Sequence, residues 1–401
     1  MESANLMVVQ GGGPTAVLNT SLAGILDEAS GKFGRILGSR YGIRGVIENS
    51  VADLSHPTPA LLELLRNSPG AALGSSRHQP QSGEMERLVA NLRELEISHM
   101  LFMGGNGTMR GADLIGEACR AAGLAIAIIG IPKTVDNDLA ITDRSPGFAS
   151  AARYVAQSTR DLGMDIRALP QPVTILETMG RSVGWLSAAS LLARERDNDA
   201  PHLVYAPELA FSTERFLADL DGIVGRQGWA VVVVSEGLQT ASGEPVYQVS
   251  DASQTDPLKR PMTGGVAQYL ADLVARNLKM RCRSEKPGLL GRCSMLHVSE
   301  QDRRDAELVG RAGVRALTAD ETGKMIALTS LKDSGGPGHI LVPLSEVAGR
   351  ERPIPRQWIA DGLSTLSPAL REYLKPLMGE LPTYITPFET IEPEKESSAH
   401  A

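Results

Sequence analysis

The sequence predicts an α/β fold in which mainly parallel strands lie between two layers of helices. Short apolar segments typical of buried strands alternate with helical patterns along most of the 401 residues. Several of these apolar segments end directly in a glycine-rich or polar loop that leads into a helix. A chain of this length can form two domains with full cores.

The individual elements follow from the apolar periodicity. The predicted strands are Leu6–Val9, Ile36–Ser39, Met100–Met103, Ala125–Ile131, Val173–Leu176, His202–Tyr205, Ala230–Val234 and Met325–Leu331. The predicted helices are one that ends near Ala29, one that follows Thr108, and Leu61–Arg66, Phe148–Leu162, Gly184–Arg194, Thr213–Val224, Gly264–Leu278 and Gln301–Leu317.

Composition excludes several classes of protein. The net charge of −7 gives no general attraction to nucleic acid or to an anionic membrane. No apolar run approaches the ~18 residues of a membrane span, and the first ten residues lack the basic region of a signal peptide. Cys119, Cys282 and Cys293 have no metal-ligand spacing, which favours a reducing cytoplasm.

Two neighbouring strand ends carry the strongest chemical signal. The strand ending at Met103 leads into Gly104-Gly105-Asn106-Gly107-Thr108, and the next leads into Pro132-Lys133-Thr134-Val135-Asp136-Asn137-Asp138. In open parallel sheets, ligands bind outside the carboxyl ends of the strands. The first loop can present backbone N–H groups to a phosphate, and the second offers a lysine and two carboxylates. This combination predicts phosphoryl transfer in which a carboxylate accepts a proton from the attacking hydroxyl.

Two further loops are weaker candidates. Gly11-Gly12-Gly13 follows the first strand and allows close approach of a ligand, although a tight strand–helix turn explains it equally well. The sequence here is neither GxxxxGK[ST] nor GxGxxG, so it supports neither a P-loop nor a Rossmann dehydrogenase. Arg77, in the small-residue loop Leu73–His78, could clamp a phosphoryl group or lie solvated on the surface.

Taken together, these motifs resemble the phosphofructokinase superfamily from about Val8 to Leu331. The matching motifs, in order, are GGGPTAVLN, GSSR, GGNGT, PKTVDND, ETMGR, SEG and GLLGR. NAD kinases and diacylglycerol kinases carry a similar GGDGT loop but lack the PKTVDND and MGR motifs. The resemblance implies a phosphofructokinase-like fold of two three-layer α/β domains with mainly parallel sheets and the active site between them.

The resemblance also implies domain boundaries. Residues 1–150 with about 292–320 would form the phosphoryl-donor domain, and residues 151–291 with about 321–385 would form the sugar-binding domain. Residues 386–401 are charged and small, and we expect a frayed tail there.

The resemblance assigns roles on the donor side and in catalysis. Asp136 matches the general base that accepts the proton of the sugar 1-hydroxyl. The other catalytic positions are Asp138 and Thr134 around that hydroxyl, with Arg77 and Lys133 near the transferred group. The positions that match donor binding are Gly12, Gly105, Asn106, Gly107 and Thr108, and Asn106 stands where many members have an aspartate that supports Mg²⁺.

On the sugar side, the matching positions are Met179, Gly180, Arg181, Glu236, Arg283 and Arg292. The two last-named arginines match residues that hold the 6-phosphate, and in the family Arg283 reaches in from a neighbouring subunit. The sequence departs from the family on this side, since Leu289 stands for His or Tyr, Gly291 for Gln, and Pro172 for a basic residue. Lys279, Arg281 or Lys286 could restore the lost charge.

Two residues indicate different phosphoryl donors. Gly107 stands where pyrophosphate-using relatives have an aspartate in the space of the nucleotide α-phosphate, so it leaves that space open for ATP. Lys133 is the residue of pyrophosphate enzymes, although some ATP enzymes combine it with this glycine. An open pocket is required for a nucleotide and the lysine excludes neither donor, so ATP is the favoured donor.

The sequence thus predicts a cytoplasmic, Mg²⁺-dependent 6-phosphofructokinase of glycolysis that phosphorylates C1 of fructose 6-phosphate. A homodimer or homotetramer is expected, with no nucleic-acid or membrane partner. The alternatives are a pyrophosphate-dependent phosphotransferase, a kinase of another ketose with an anionic C6 group, and a catalytically weak sugar-phosphate sensor.

Overall fold

A computed structural model describes residues 4–169, 172–248, 264–333, 336, 338–359 and 362–385, so the tail expected at 386–401 lies outside the described residues. The strands are β1 (Asn5–Gln10), β2 (Ile36–Ser39), β3 (Val51–Asp53), β4 (Ile97–Gly104), β5 (Ala127–Pro132), β6 (Val173–Thr178), β7 (Leu203–Tyr205), β8 (Ala230–Ser235), β9 (Cys282–Glu285), β10 (Lys324–Leu328) and β11 (His339–Pro343).

The α-helices are α1 (Leu18–Ala29), α2 (Ile43–Ile47), α3 (Pro59–Arg66), α4 (Ser82–Glu94), α5 (Asn106–Ala121), α6 (Phe148–Ala168), α7 (Trp185–Ala189), α8 (Thr213–Gln227), α9 (Val266–Asn277), α10 (Leu289–Cys293), α11 (Glu300–Thr318), α12 (Leu344–Val347) and α13 (Pro368–Met378). Short 3₁₀ helices cover Ser190–Ala193 and Arg356–Trp358. None of the helices in the described part of the chain could cross a bilayer.

Local sequence explains where several helices begin. The hydroxyls of Thr58, Ser212, Ser299 and Ser367 each accept a hydrogen bond from a backbone N–H in the first turn of α3, α8, α11 and α13. These side chains satisfy donors that have no partner within the helix. The sequence analysis missed α4, which begins with a capping box between Gln81 and Glu84.

The strands form two sheets. The larger has the order β11-β10-β5-β4-β1-β2-β3 and the smaller β7-β8-β6-β9. All pairs are parallel except β2–β3 and β10–β11. The predicted α/β fold with mainly parallel sheets is confirmed.

One part of the expected domain assignment needs correction. The sequence analysis placed residues 321–385 with the sugar-binding domain, but β10 pairs with β5 and β11 pairs with β10, so both strands belong to the larger sheet. An apolar strand such as β10 fits the buried interior of either sheet. Its place is therefore decided by long-range pairing, which the local pattern does not contain.

Each sheet is covered on both faces by apolar side chains. Along β1, Leu6 and Val8 enter one core cluster, whereas Met7 and Val9 enter another. In the smaller sheet, Val233 of β8 enters a third cluster with helices α6 and α13. Val232, its neighbour, enters a fourth cluster on the opposite face. This alternation is the two-residue period of a strand, and it produces the three-layer arrangement.

Candidate active site

A cleft of about 530 Å³ lies where the carboxyl ends of both sheets meet. The loops that follow β1, β4 and β5 line it from the larger sheet, and those that follow β6 and β8 line it from the smaller. The cleft brings together all the predicted catalytic and donor-binding residues. Of the predicted sugar-binding residues, Met179, Arg181, Glu236 and Arg292 line the same cleft.

The glycine loop after β1 is held by the GSSR segment. The N–H of Gly12 donates to the carbonyl oxygen of Ser76 at 3.0 Å, and the Ser75 hydroxyl donates to the carbonyl oxygen of Gly12 at 2.6 Å. Gly12 has a φ of +76°, a left-handed conformation that favours glycine. The loop therefore presents bare backbone to the cleft beside Arg77.

The second glycine loop leads directly into α5. Gly104 packs so closely on Thr108 that an added Cβ would lie 2.1 Å from its Oγ1. By contrast, a Cβ on Gly107 would meet no atom within 4 Å. The first N–H groups of this 16-residue helix have no intrahelical partners and favour an anion near them. The space beside Gly107 is thus open for a phosphate or a larger group.

The loop after β5 carries the paired carboxylates. The N–H of Asp136 donates to Thr134 Oγ1 at 3.1 Å, which holds the loop from within. Asn137 has a left-handed φ of +58° and accepts a hydrogen bond from the N–H of Ser145 at 3.1 Å. Asp136 and Asp138, on either side of this buried asparagine, both line the cleft.

Two groups in the cleft have strongly shifted pKa values. Burial, followed by repulsion from Asp138 and Glu236, raises the pKa of Asp136 to about 7. Burial, followed by repulsion from Arg292 and Arg77, lowers the pKa of Lys133 to about 7. A carboxylate with a pKa near neutrality is suited to accept a proton at physiological pH.

Two basic side chains, Lys133 and Arg292, lie against the glycine loop that follows β1. Lys133 is 3% exposed, and its ammonium donates to the carbonyl oxygen of Gly13 at 2.5 Å. Arg292 lies so near Gly13 that an added Cβ would be 2.9 Å from its Nη1. The residue expected on the sugar 6-phosphate therefore also contacts the donor side of the cleft.

Two predicted sugar-side residues do not line the cleft. Gly180 lies behind it with a φ of +124°, and its carbonyl oxygen accepts a hydrogen bond from the Ser235 hydroxyl. Arg283 is exposed on β9, the strand that pairs with β6 at the edge of the smaller sheet. The role of Arg283 in another chain's site stays a prediction.

The structure shows the surroundings of the residues at which the sequence departs from the family, and also of Lys286. Leu289 lines the cleft and is 66% exposed. Gly291 accommodates the ring of Tyr154, since an added Cβ would lie 3.0 Å from it. Lys286 forms an ion pair at 3.1 Å with the buried Glu177, so its ammonium has a partner away from the sugar. Pro172 directly precedes β6, and its carbonyl oxygen accepts a hydrogen bond from the N–H of Ala230.

The cleft also contains oxygen atoms suited to Mg²⁺. The side-chain nitrogen of Asn106 donates to Asp138 Oδ2 at 3.3 Å, which turns Asn106 Oδ1 away from this contact. Asn106 Oδ1 and Asp138 Oδ1 are buried and have no hydrogen-bond partner among the described residues. Within those residues, no group of three or more acidic, histidine or cysteine side chains could hold a metal. This set fits Mg²⁺, which usually keeps several waters and binds through one or two protein oxygens plus phosphates.

Sequence reasoning missed two parts of the cleft. One is an apolar wall on the donor side, formed by Ile43, Met85, Phe102, Leu114 and Ile115. The other is Glu351, which reaches the cleft beside Leu139 through an isolated bridge. Helix periodicity could have indicated the Leu114 and Ile115 face, but no motif marks Glu351.

Comparison with known proteins agrees with the resemblance that the sequence motifs indicate. A family model described as Phosphofructokinase matches residues 5–317. The pyrophosphate–fructose 6-phosphate 1-phosphotransferase of Xanthomonas campestris is 36% identical over 95% of this chain and 93% of its own length. A sulfofructose kinase of Alkalicoccus urumqiensis is 34% identical over 88% of this chain and 91% of its own. An ATP-dependent 6-phosphofructokinase of Amycolatopsis methanolica is 36% identical over 68% and 59%, respectively.

A solved structure also matches the whole fold. The crystal structure of the pyrophosphate-dependent phosphofructokinase from Marinobacter aquaeolei superposes with a TM-score of 0.82 at 31% identity. The match covers 96% of this chain and 94% of that one.

Proposed function

The chain belongs to the phosphofructokinase family, and we propose that it transfers a phosphoryl group from ATP to the C1 hydroxyl of fructose 6-phosphate. The observation that carries the proposal is the convergence of Asp136, Lys133, Arg77 and the N-terminus of α5 in one cleft. We further propose that the enzyme works with Mg²⁺ in the cytoplasm, in glycolysis, as a homodimer or homotetramer.

In the proposed mechanism, Asp136 accepts the proton of the C1 hydroxyl as that oxygen attacks the γ-phosphorus of ATP. The bond between this phosphorus and the β–γ bridging oxygen breaks, and ADP leaves. The Asp136 pKa of about 7 makes the carboxylate a stronger proton acceptor than an ordinary aspartate, and about half of it is ionised at neutral pH. Thr134 orients Asp136 through the hydrogen bond to its backbone N–H. Met179, Arg181 and Glu236 form the wall against which the sugar would bind.

The remaining residues stabilise negative charge on the phosphoryl group. Lys133 and Arg77 supply positive charge, the N–H groups at the start of α5 supply hydrogen-bond donors, and Gly12 lines the cleft without a side chain. Asn106 and Asp138 would hold Mg²⁺, which would neutralise charge on the donor phosphates. The described residues thus suffice for positioning and electrostatic stabilisation, the main requirements of phosphoryl transfer.

Two features of the cleft favour ATP as the donor. The space beside Gly107 is open, so a phosphate inside the chain of a nucleotide can occupy it. In the wall of Ile43, Met85, Phe102, Leu114 and Ile115, the half-exposed Leu114 and the partly exposed Met85 offer apolar area that a purine base would bury. Pyrophosphate, a small polyanion, would gain nothing from such a wall.

Pyrophosphate is the second candidate donor. Lys133 lies against the donor loop, where its ammonium would balance the charge of pyrophosphate. The names of the relatives from Xanthomonas campestris and Marinobacter aquaeolei state pyrophosphate dependence. An assay of turnover with each donor therefore distinguishes the two candidates.

The sugar side suggests a second candidate acceptor. Leu289 offers neither charge nor hydrogen bond to a C6 group, and Lys286 is paired with Glu177. Fewer charges would suit a monoanion, and the relative from Alkalicoccus urumqiensis is named a sulfofructose kinase. The alternative acceptor is thus 6-deoxy-6-sulfofructose or a similar ketose with an anionic C6 group.

The complete set of Thr134, Asp136 and Asp138 in the cleft argues against a catalytically weak sensor.

The proposal is tested by measuring turnover of fructose 6-phosphate with ATP and with pyrophosphate, each with and without Mg²⁺. Formation of fructose 1,6-bisphosphate with ATP is the expected result. Turnover with pyrophosphate alone would transfer the assignment to the second donor. The absence of bisphosphate with both donors, alongside phosphorylation of sulfofructose, would replace the acceptor.

A further inference from the structure

A C-terminal segment, residues 351–359 and 362–378, packs behind the loop that carries Asp136 and Asp138. The family model ends at residue 317, so this segment lies beyond the part of the chain that it matches. The segment includes α13 and the short 3₁₀ helix at Arg356–Trp358. Tyr373 contacts the loop through its side chain, and Arg352 contacts it through its backbone N–H.

The hydroxyl of Tyr373 connects three parts of the chain. It accepts a hydrogen bond from the side-chain nitrogen of Asn137 at 2.8 Å and donates to the carbonyl oxygen of Asp143 at 2.7 Å. Arg352 Nη1 also donates to the hydroxyl oxygen of Tyr373, at 3.4 Å. The Tyr373 ring packs against Trp185 and Trp358, with centroid distances of 5.1 and 5.5 Å.

Arg352 holds the next residue of the loop. Its backbone N–H donates to the carbonyl oxygen of Asp138 at 2.9 Å, and its own carbonyl oxygen accepts from Trp185 Nε1 at 2.9 Å. The guanidinium lies 4.4 Å from the centre of the Trp185 ring, a cation–π contact. Trp185 is fully buried in the core cluster that packs on the smaller sheet, so Arg352 is bonded to a core residue.

These contacts act on the residue between the two carboxylates. Asn137 is 1% exposed and has a left-handed backbone conformation, which costs free energy in a residue with a side chain. Its side chain is bonded on both sides, to Tyr373 and to the N–H of Ser145. The conformation of Asn137 sets the directions in which Asp136 and Asp138 leave the backbone.

We propose that Tyr373 and Arg352 are positioning residues, which hold Asn137 and thereby aim Asp136 and Asp138 into the cleft. The inference rests on the proposed function, because it takes Asp136 as the proton acceptor. Catalytic groups must be held to within ~0.5 Å of the productive geometry, and a displacement of about 1 Å can cost ~100-fold in rate. Residues outside the matched family region therefore complete the active site.

The test compares Tyr373→Phe with Tyr384→Phe. Both variants remove a C-terminal tyrosine hydroxyl that bonds to another part of the chain, since Tyr384 bonds to Gln157 and Asp161 on α6, away from the cleft. For Tyr373→Phe we expect kcat to fall by ~10-fold or more, with the KM of sugar and donor changed less than about twofold. For Tyr384→Phe we expect wild-type kcat, even where its melting temperature falls.

A second readout does not depend on activity. Hydrogen–deuterium exchange of the backbone between residues 134 and 145 should quicken by about fivefold or more in Tyr373→Phe and not in Tyr384→Phe. Arg352→Gln, which keeps the backbone bond to Asp138, should give the same two changes at smaller size. If Tyr373→Phe does not fold, Arg352→Gln provides the same test.

The outcomes separate this inference from the proposed function. Unchanged kcat and unchanged exchange in both Tyr373→Phe and Arg352→Gln would overturn the inference, as would equal losses in the Tyr384→Phe control. If the wild type does not phosphorylate fructose 6-phosphate but loop exchange still responds to Tyr373→Phe, the positioning contact stands and the proposed function fails.

Discussion

The ammonium of Lys133 donates a hydrogen bond of 2.5 Å to the carbonyl oxygen of Gly13. This contact joins the loop after β5, which carries Asp136, to the glycine loop after β1. It keeps a positive charge at the point where the two loops meet, close to Arg292 and Arg77. The charge state of Lys133 therefore bears on any reaction of an anion in the cleft.

The first prediction concerns pH. Asp136 must be ionised and Lys133 protonated for the proposed reaction, and both have a pKa of about 7. We expect kcat/KM to fall on both sides of a narrow maximum near pH 7. Lys133→Met should lower kcat by ~10²–10³, the usual cost of removing one charge-stabilising donor, and should remove the alkaline limb of the profile. A flat profile from pH 6 to 9 would exclude these two groups.

The second prediction concerns Asp136→Asn, which keeps the shape but cannot accept the proton. Turnover should fall by ~10²–10⁴ while the KM of the sugar changes little. Because the pKa in the fold is raised from 3.8 to about 7, the stability contribution of Asp136 is present at low pH and is lost as pH rises through 7. The variant should therefore melt higher than the wild type, by more at pH 8 than at pH 5. Near-normal turnover would remove Asp136 from the role.

The third prediction concerns the donor. Gly107→Asp places a carboxylate in the open space beside the start of α5 and should abolish ATP use while sparing any pyrophosphate activity. Gly83→Asp is a matched control, because Gly83 is also the second residue of a helix and a Cβ there meets no atom within 4 Å. Rates with both donors should be unchanged in the control. Efficient ATP use by Gly107→Asp would refute the argument from the open space.

The fourth prediction concerns the sugar anion. Arg292→Ala removes a charged hydrogen bond, worth ~1.5–3 kcal/mol, so KM should rise by roughly 10- to 100-fold. The KM of fructose 6-phosphate, sedoheptulose 7-phosphate and 6-deoxy-6-sulfofructose should all rise if Arg292 holds the C6 group. If only the KM of the donor rises, the contact with Gly13 is the functional one. Arg215→Ala, on an 82% exposed side chain of α8 that does not line the cleft, is the control.

The fifth prediction concerns Mg²⁺. Chelation with EDTA should abolish turnover, and added Mg²⁺ should restore it. Asn106→Ala should raise the Mg²⁺ concentration for half-maximal rate, because it removes a buried oxygen without another partner among the described residues. Asn106→Asp should lower that concentration, since a carboxylate adds charge. An unchanged Mg²⁺ requirement in both variants would show that Asn106 is not near the ion.

Much of the fold was accessible from the sequence because the signals are local. Apolar runs such as Ala230–Ser235 predict buried strands, and parallel strands joined by helices have their carboxyl ends at one edge of a sheet. The loops that carry Gly107 and Asp136 follow adjacent strands, so the strand–loop–helix order was sufficient to predict that they meet.

The sequence did not determine features that depend on long-range contacts. The place of β10 and β11 in the larger sheet depends on pairing with β5, nearly 200 residues earlier in the chain. Tyr373 lies in an amphipathic helix and contacts Asn137 across a separation of 236 residues in the sequence. No motif marks such a contact, because neither residue type is unusual in its own segment.

The sequence by itself thus determined the α/β class, the phosphofructokinase family and the loops that carry the reactive side chains. Only the tertiary structure decided the chemistry of those side chains. Asp136 and Lys133 acquire pKa values of about 7 because burial removes water that would favour their charged forms. The same packing pairs Lys286 with Glu177 and sets Arg292 against Gly13. Charge, burial and direction arise from neighbours distant in the sequence, and these properties decide how the side chains of these loops can react.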